Sequence, residues 1–147
     1  MIICASAFVL SLEGLAAAVP ERPSGLAAEN VKRSSLTLVW NKSRYADFYR
    51  VYISENGEWK TLDDTTERSY KISGLHPSKS YTFAVRSVNE AGNKDYFSKK
   101  YATVKVKTKD LAKVKVRAVS GVNYVTLKWS KTSYATGYNV YRKTDGK

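Results

Sequence analysis

The sequence predicts an all-β fold: a seven-stranded antiparallel β-sandwich followed by the opening strands of a second, truncated sandwich. Three observations carry that prediction. Apolar and polar residues alternate with period two through most of the chain, the pattern of half-buried strands. The 147 residues hold 11 Tyr, 3 Trp and 4 Phe, an aromatic weight that favours strands. A block of sequence also returns 89 positions later without a gap: Leu36-Thr-Leu-Val-Trp40 through Tyr45, Tyr49 and Tyr52 matches Val125-Thr-Leu-Lys-Trp129 through Tyr134, Tyr138 and Tyr141. A period this long is one whole sandwich, not a solenoid unit.

The elements follow in order. Residues 2–18 are almost unbroken apolar or small residues, and Ala16 and Ala18 suit signal-peptidase cleavage after position 18. No basic residue precedes this leader and Glu13 interrupts it, so it reads as a truncated or defective export signal, too short and too charged for a membrane span. The one cysteine, Cys4, lies inside it, which suits an exported chain free of stray disulfides. A spacer, residues 19–22, leads into a domain over 23–108. Its first strand is expected near Leu26 to Val31. In the second strand Leu36, Leu38 and Trp40 point inward, and in the third Tyr49, Val51 and Ile53 do. A short strand from Glu58 to Leu62 follows the Asn56-Gly57 turn. Tyr70 and Ile72 mark the fifth strand, Tyr81, Phe83 and Val85 the sixth and longest, and Ala102, Val104 and Val106 the last. After a linker at 109–110, residues 111–147 begin again.

These residues resemble the fibronectin type III family. The likeness rests on Pro23 opening the first strand, Trp40 in the second, Tyr49-x-Val51 in the third, and Leu75-His-Pro77-Ser-Lys-Ser-Tyr81. The last looks like the family's corner, in which a Tyr hydroxyl bonds back to the backbone and pins the crossing between sheets. Asn89-Glu-Ala-Gly92 fits the loop after the sixth strand. Residues 111–147 are similar only through the third strand, with Trp129 and Tyr138 in the places of Trp40 and Tyr49. The resemblance implies a non-catalytic spacer or binding module whose partners are other domains of a larger secreted or cell-surface protein. Two alternatives stand beside it. One is an accessory fragment of a polysaccharide or cell-wall hydrolase; the other is an adhesin module that binds an anionic glycan or wall polymer.

Little in the chain points to chemistry. One His and one Cys exclude a metal site built from those residues, and no cofactor is expected. His76, in the corner, has no partner for general-base work. Asp63-Asp64 reads as a solvated loop, and Asn41-Lys-Ser43 as a glycosylation sequon relevant only to a eukaryotic secretory route. No Arg-Gly-Asp tripeptide occurs in the loop from Asn89 to Asp95 or elsewhere. Trp59, on an edge-side strand, is a candidate exposed platform, and Tyr45 and Tyr134 occupy equivalent loops. Charge is the least ordinary feature: residues 1–98 hold 12 basic against 11 acidic side chains, residues 99–147 hold 13 against 2. Lys105, Lys107 and Lys109 share one strand face with Val104 and Val106 turned inward, and Lys113, Lys115 and Arg117 repeat the pattern around Val114 and Val116. This is either a ridge for a polyanion or protection of strand edges, and edge protection is the better-supported reading. Export makes nucleic acid an unexpected partner.

Overall fold

The computed structural model describes residues 18–143, so the proposed leader lies outside the described residues apart from Ala18. Two antiparallel sheets face each other in the first domain. One contains β1 (Ala27–Glu29), β2 (Ser35–Val39) and β5 (Ser69–Ser73) in the order β1-β2-β5. The other contains β3 (Phe48–Glu55), β4 (Glu58–Thr65), β6 (Ser80–Ala91), β7 (Lys94–Phe97) and β8 (Ala102–Lys107). Its order is β4-β3-β6, with β7 and β8 both on the far flank of β6.

Alternation places the core as expected. Leu36, Leu38 and Trp40 of the first sheet meet Tyr49, Val51, Ile53, Phe83 and Val85 of the second, all buried. The Trp40 and Tyr49 rings pack edge to face with centroids 5.4 Å apart, a geometry favoured by the ring quadrupoles. Ile72 and Leu75 close the same cluster. The tyrosine corner forms: the Tyr81 hydroxyl accepts the His76 backbone N–H at 2.8 Å, and Leu75 and the half-buried Pro77 flank the turn. The Thr108 hydroxyl donates to the His76 carbonyl at 2.6 Å, which ties the end of β8 to that corner.

Three expectations change. β4 runs to Thr65, not Leu62, so Asp63 and Asp64 sit on a strand and not in a solvated loop. A bulge between Val51 and Tyr52 leaves Leu62 without a register partner and lets the strand continue. The segment from Asn89 to Asp95 is a hairpin, not an open loop: β6 continues to Ala91, turns through Gly92-Asn93, and pairs with β7. The last strand is therefore in two pieces and the domain has eight strands. Four residues, Ser98 to Tyr101, stand opposite only Arg86 and Ser87, because Val88 pairs with Phe97 and Val85 with Ala102. Two surplus residues cannot stay in a flat ladder. The gap is filled by Arg86, which donates from Nε at 3.0 Å and from Nη2 to the buried Ser98 carbonyl.

After the first domain, β9 (Val116–Ser120) and β10 (Val125–Trp129) form a two-stranded antiparallel sheet. The repeat is geometric as well as sequential. Trp129 and Tyr138 pack edge to face at 5.6 Å, as Trp40 and Tyr49 do. The Tyr138 hydroxyl accepts the Thr132 N–H as the Tyr49 hydroxyl accepts that of Ser43. Tyr138 to Tyr141, however, are not a strand. In the first domain β3 is held between β4 and β6; among the described residues nothing supplies those partners here, so the backbone has no ladder to join.

Candidate functional site

The basic ridge divides into two unlike parts. On β8, Lys105 and Lys107 are exposed on the outer face while Val104 and Val106 pack against the core, and the exposed Lys109 lies just beyond the strand. β8 pairs only with β6 and is a sheet edge, the position where lysines discourage edge-to-edge association. The second part departs from expectation. Lys113 and Lys115 precede β9, and Val114 and Val116 are 40% and 55% exposed rather than turned into a core. They look instead into an open apolar hollow shared with Leu127, Trp129, Tyr138 and Val140, a face that no second sheet covers among the described residues. Arg117 stands directly opposite Lys128 in the β9–β10 register, a like-charge cross-strand pair that weakens a sheet unless an anion offsets it.

Lys109 and Asp110, between the two parts, are strapped onto the first domain. Lys109 donates its backbone N–H to the Lys32 carbonyl, and the Lys109 carbonyl accepts that of Ser78, each at 3.1 Å. Arg33 Nε donates to the Asp110 carbonyl at 2.9 Å. The Asp110 carboxylate accepts the Ser78 hydroxyl at 2.8 Å and lies 4.0 Å from Lys107 Nζ. Beside this strap opens a hollow lined by Arg33 from the first domain and by Lys113, Lys115, Ser130, Lys131 and Thr132. Sequence patterning could not assemble it, since Arg33 and Lys131 lie far from the lysine runs.

Trp59 is not a free platform. Its ring stacks on Tyr101, centroids 5.4 Å apart and planes 22° from parallel, and Tyr101 in turn meets Tyr52 edge-on at 5.2 Å. On the same outward parity of β6, Ala84, opposite Tyr52, and Val88, between Phe48 and Phe97, are fully buried. Arg86 lies over the Phe97 and Tyr101 rings at 4.8 and 4.9 Å, and Arg50 over Phe97 at 5.1 Å (cation–π contacts in both cases). Asp64 receives both Nε and Nη2 of Arg50 at 2.7 Å. That hydrogen-bonded pairing holds the Arg50 guanidinium above its ordinary pKa, against the opposing pull of burial. This second apolar layer escaped the sequence reading, although Tyr52 and Tyr101 were visible as aromatics on the outward parity.

Tyr45 and Tyr134 are 49% and 52% exposed. Both have positive φ, 59° and 67°. A left-handed backbone costs an L-residue roughly 1–2 kcal/mol, and glycine would adopt it without that cost. Arg44 lies 4.7 Å over the Tyr45 ring. His76 is exposed, and Ser43 of the sequon is buried with its N–H on the Tyr49 hydroxyl. Among the described residues no three His, Cys, Asp or Glu side chains gather as metal ligands, and no helix is long and apolar enough to cross a membrane.

The fibronectin type III domain model matches residues 21–104. Among solved structures, a mutant of FN3tt is 29% identical, with 63% of this chain and 99% of that one covered at a TM-score of 0.57. Titin kinase with its flanking domains is 25% identical, with 62% of this chain and 17% of that one covered at a TM-score of 0.51. The fibronectin type III domain of human fibronectin type III domain containing protein 3 shares the fold at 21% identity, with 66% and 93% covered and a TM-score of 0.54. With the inward Trp40, the tyrosine corner and the two facing sheets, these matches show that the chain belongs to the fibronectin type III family.

Proposed function

We propose that the chain is a non-catalytic spacer of a larger secreted or cell-surface protein, in which residues 111–143 are the front of a second module held at a set angle to the first. The strapped junction carries this reading. Lys109 and Asp110 are engaged by Lys32, Arg33, Ser78 and Lys107, so the two residues between modules do not act as a swivel. The test is ¹⁵N relaxation on the full chain. Amides of residues 116–129 should share the tumbling time of the first domain, and Arg33→Ala with Ser78→Ala should make them faster. Already faster tumbling of 116–129 in the parent overturns the set angle.

A second reading, contact with a polyanion, is favoured by Arg117 facing Lys128 with no acid beside them in the β9–β10 register. Edge protection accounts for a single charge on an edge strand, as at Lys105 and Lys107, whereas two like charges directly opposite each other also destabilise the pairing.

A further inference from the structure

We infer that the hollow at the module junction is a binding site for an anionic polysaccharide, a polymer of sugar rings bearing sulfate or carboxylate groups. The inference rests on the polyanion reading and gives it a place. Arg33, Lys113, Lys115 and Lys131 converge on one hollow from both repeats. All four are exposed, so their mutual repulsion is relieved only by solvent, salt or a bound anion. No acidic residue lines the hollow. Asp110 is the one acidic residue between positions 96 and 144, and its carboxylate accepts the Ser78 hydroxyl and lies 4.0 Å from Lys107 Nζ. Its carbonyl meanwhile holds Arg33 in place through Nε, which spends one of five guanidinium N–H donors. Arg117 and Lys128, paired directly across the small sheet, share one of its faces, so the positive field extends beyond the hollow.

The sugar component follows from the loop that forms one wall. Ser130 and Thr132 line the hollow beside Lys131, and Tyr134, two residues on, is half exposed at φ 67°. The corresponding loop of the first domain carries Lys42 and Tyr45, again half exposed at φ 59°. Tyr134 directly follows Ser133, the last residue of that wall, and about half of its surface is free to meet a ligand. Hydroxyls, a cation and an exposed ring in one short loop match a charged sugar: hydrogen bonds to its hydroxyls, an ion pair to its anion, and stacking on its apolar face. A phosphate polymer without rings would use only the cations.

The experiment is calorimetric titration of the full chain with a size-defined heparin oligosaccharide, linear polyphosphate and duplex DNA at about 0.15 M salt, where exposed charges more than roughly 8 Å apart are screened. The site variant combines Arg33→Gln, Lys113→Gln, Lys115→Gln and Lys131→Gln. A control with the same charge loss combines Lys60→Gln, Lys71→Gln, Lys94→Gln and Lys99→Gln. The site variant should lose on the order of tenfold or more in heparin affinity and the control no more than about twofold, since only the first removes direct charged contacts. Tyr134→Gly, which suits the backbone there, should weaken heparin binding and leave polyphosphate binding unchanged. Equal losses in the two four-site variants overturn the hollow while leaving a diffuse polyanion surface. Absence of heparin binding by the parent overturns both. Polyphosphate or DNA bound as tightly as heparin, with Tyr134→Gly without effect, overturns the polysaccharide. Unchanged melting of the variants shows that the losses come from the site.

Discussion

Trp40 and Tyr81 hold the first domain in different ways. Trp40 is 5% exposed against Tyr49 and the facing sheet, so Trp40→Ala leaves a cavity costing about 3–5 kcal/mol, a large share of a domain's stability. Thermal or urea melts should show the domain largely unfolded near physiological temperature; near-native melting contradicts the inward packing. Tyr81→Phe keeps the ring but strips the acceptor from the His76 N–H. The expected loss is about 0.5–1.5 kcal/mol, read from the shift in urea midpoint, and no shift means the corner bond contributes nothing. Gly25 sits at φ 64°, and a Cβ there would lie 2.6 Å from Asn41 Nδ2. Gly25→Ala should therefore destabilise by about 1 kcal/mol or more, and an unchanged midpoint would show that the loop yields freely.

At the scale of the element, the interrupted last strand makes the outer face of its sheet a second packed layer. The surplus residues between β7 and β8 deliver Tyr101 onto Tyr52 and Trp59. Tyr101→Ala should uncover both rings, lower stability by about 2 kcal/mol given the partial exposure of the lost side chain, and shift Trp59 emission to longer wavelength. Emission unchanged in the variant would separate Trp59 from Tyr101. The Arg50–Asp64 pair is more than a quarter exposed on the Asp64 side, so Asp64→Asn should cost no more than about 1 kcal/mol despite its bidentate geometry.

For the whole molecule, pH dependence follows from two tyrosines. Burial, with Tyr101 nearby, pushes the Tyr52 hydroxyl above its ordinary value of 10.0; burial and then Asp63 do the same for Tyr70. The folded state holds these protons more tightly than the unfolded chain, so the stability they carry is whole below about pH 10 and is lost as pH climbs through the folded values. Urea midpoints should be level to about pH 9 and fall above pH 10, with a shallower fall in Tyr52→Phe; a level profile up to about pH 11.5 would contradict the shift.

What the sequence determined by itself was whatever depends on local periodicity. Period-two alternation alone put Leu36, Leu38, Trp40, Tyr49, Val51 and Phe83 in one core, because in a strand the backbone decides the facing of each side chain. The gapless repeat put Trp129 and Tyr138 in the places of Trp40 and Tyr49, and the same edge-to-face pair forms although Tyr138 lies outside any strand. The tertiary structure decided whatever depends on which segments meet. Asp64 became the partner of Arg50 only because β4 continued past its bulge, and Trp59 was covered only because two surplus residues swung Tyr101 across the sheet. Val114 and Val116 obeyed the alternation yet stayed exposed, because burial requires an opposing sheet and alternation supplies only a direction. The basic hollow, too, gathers Arg33 and Lys131, residues almost a hundred positions apart. Long-range contacts of this kind leave no periodic trace in a single chain, so charge counting located the excess but not its focus.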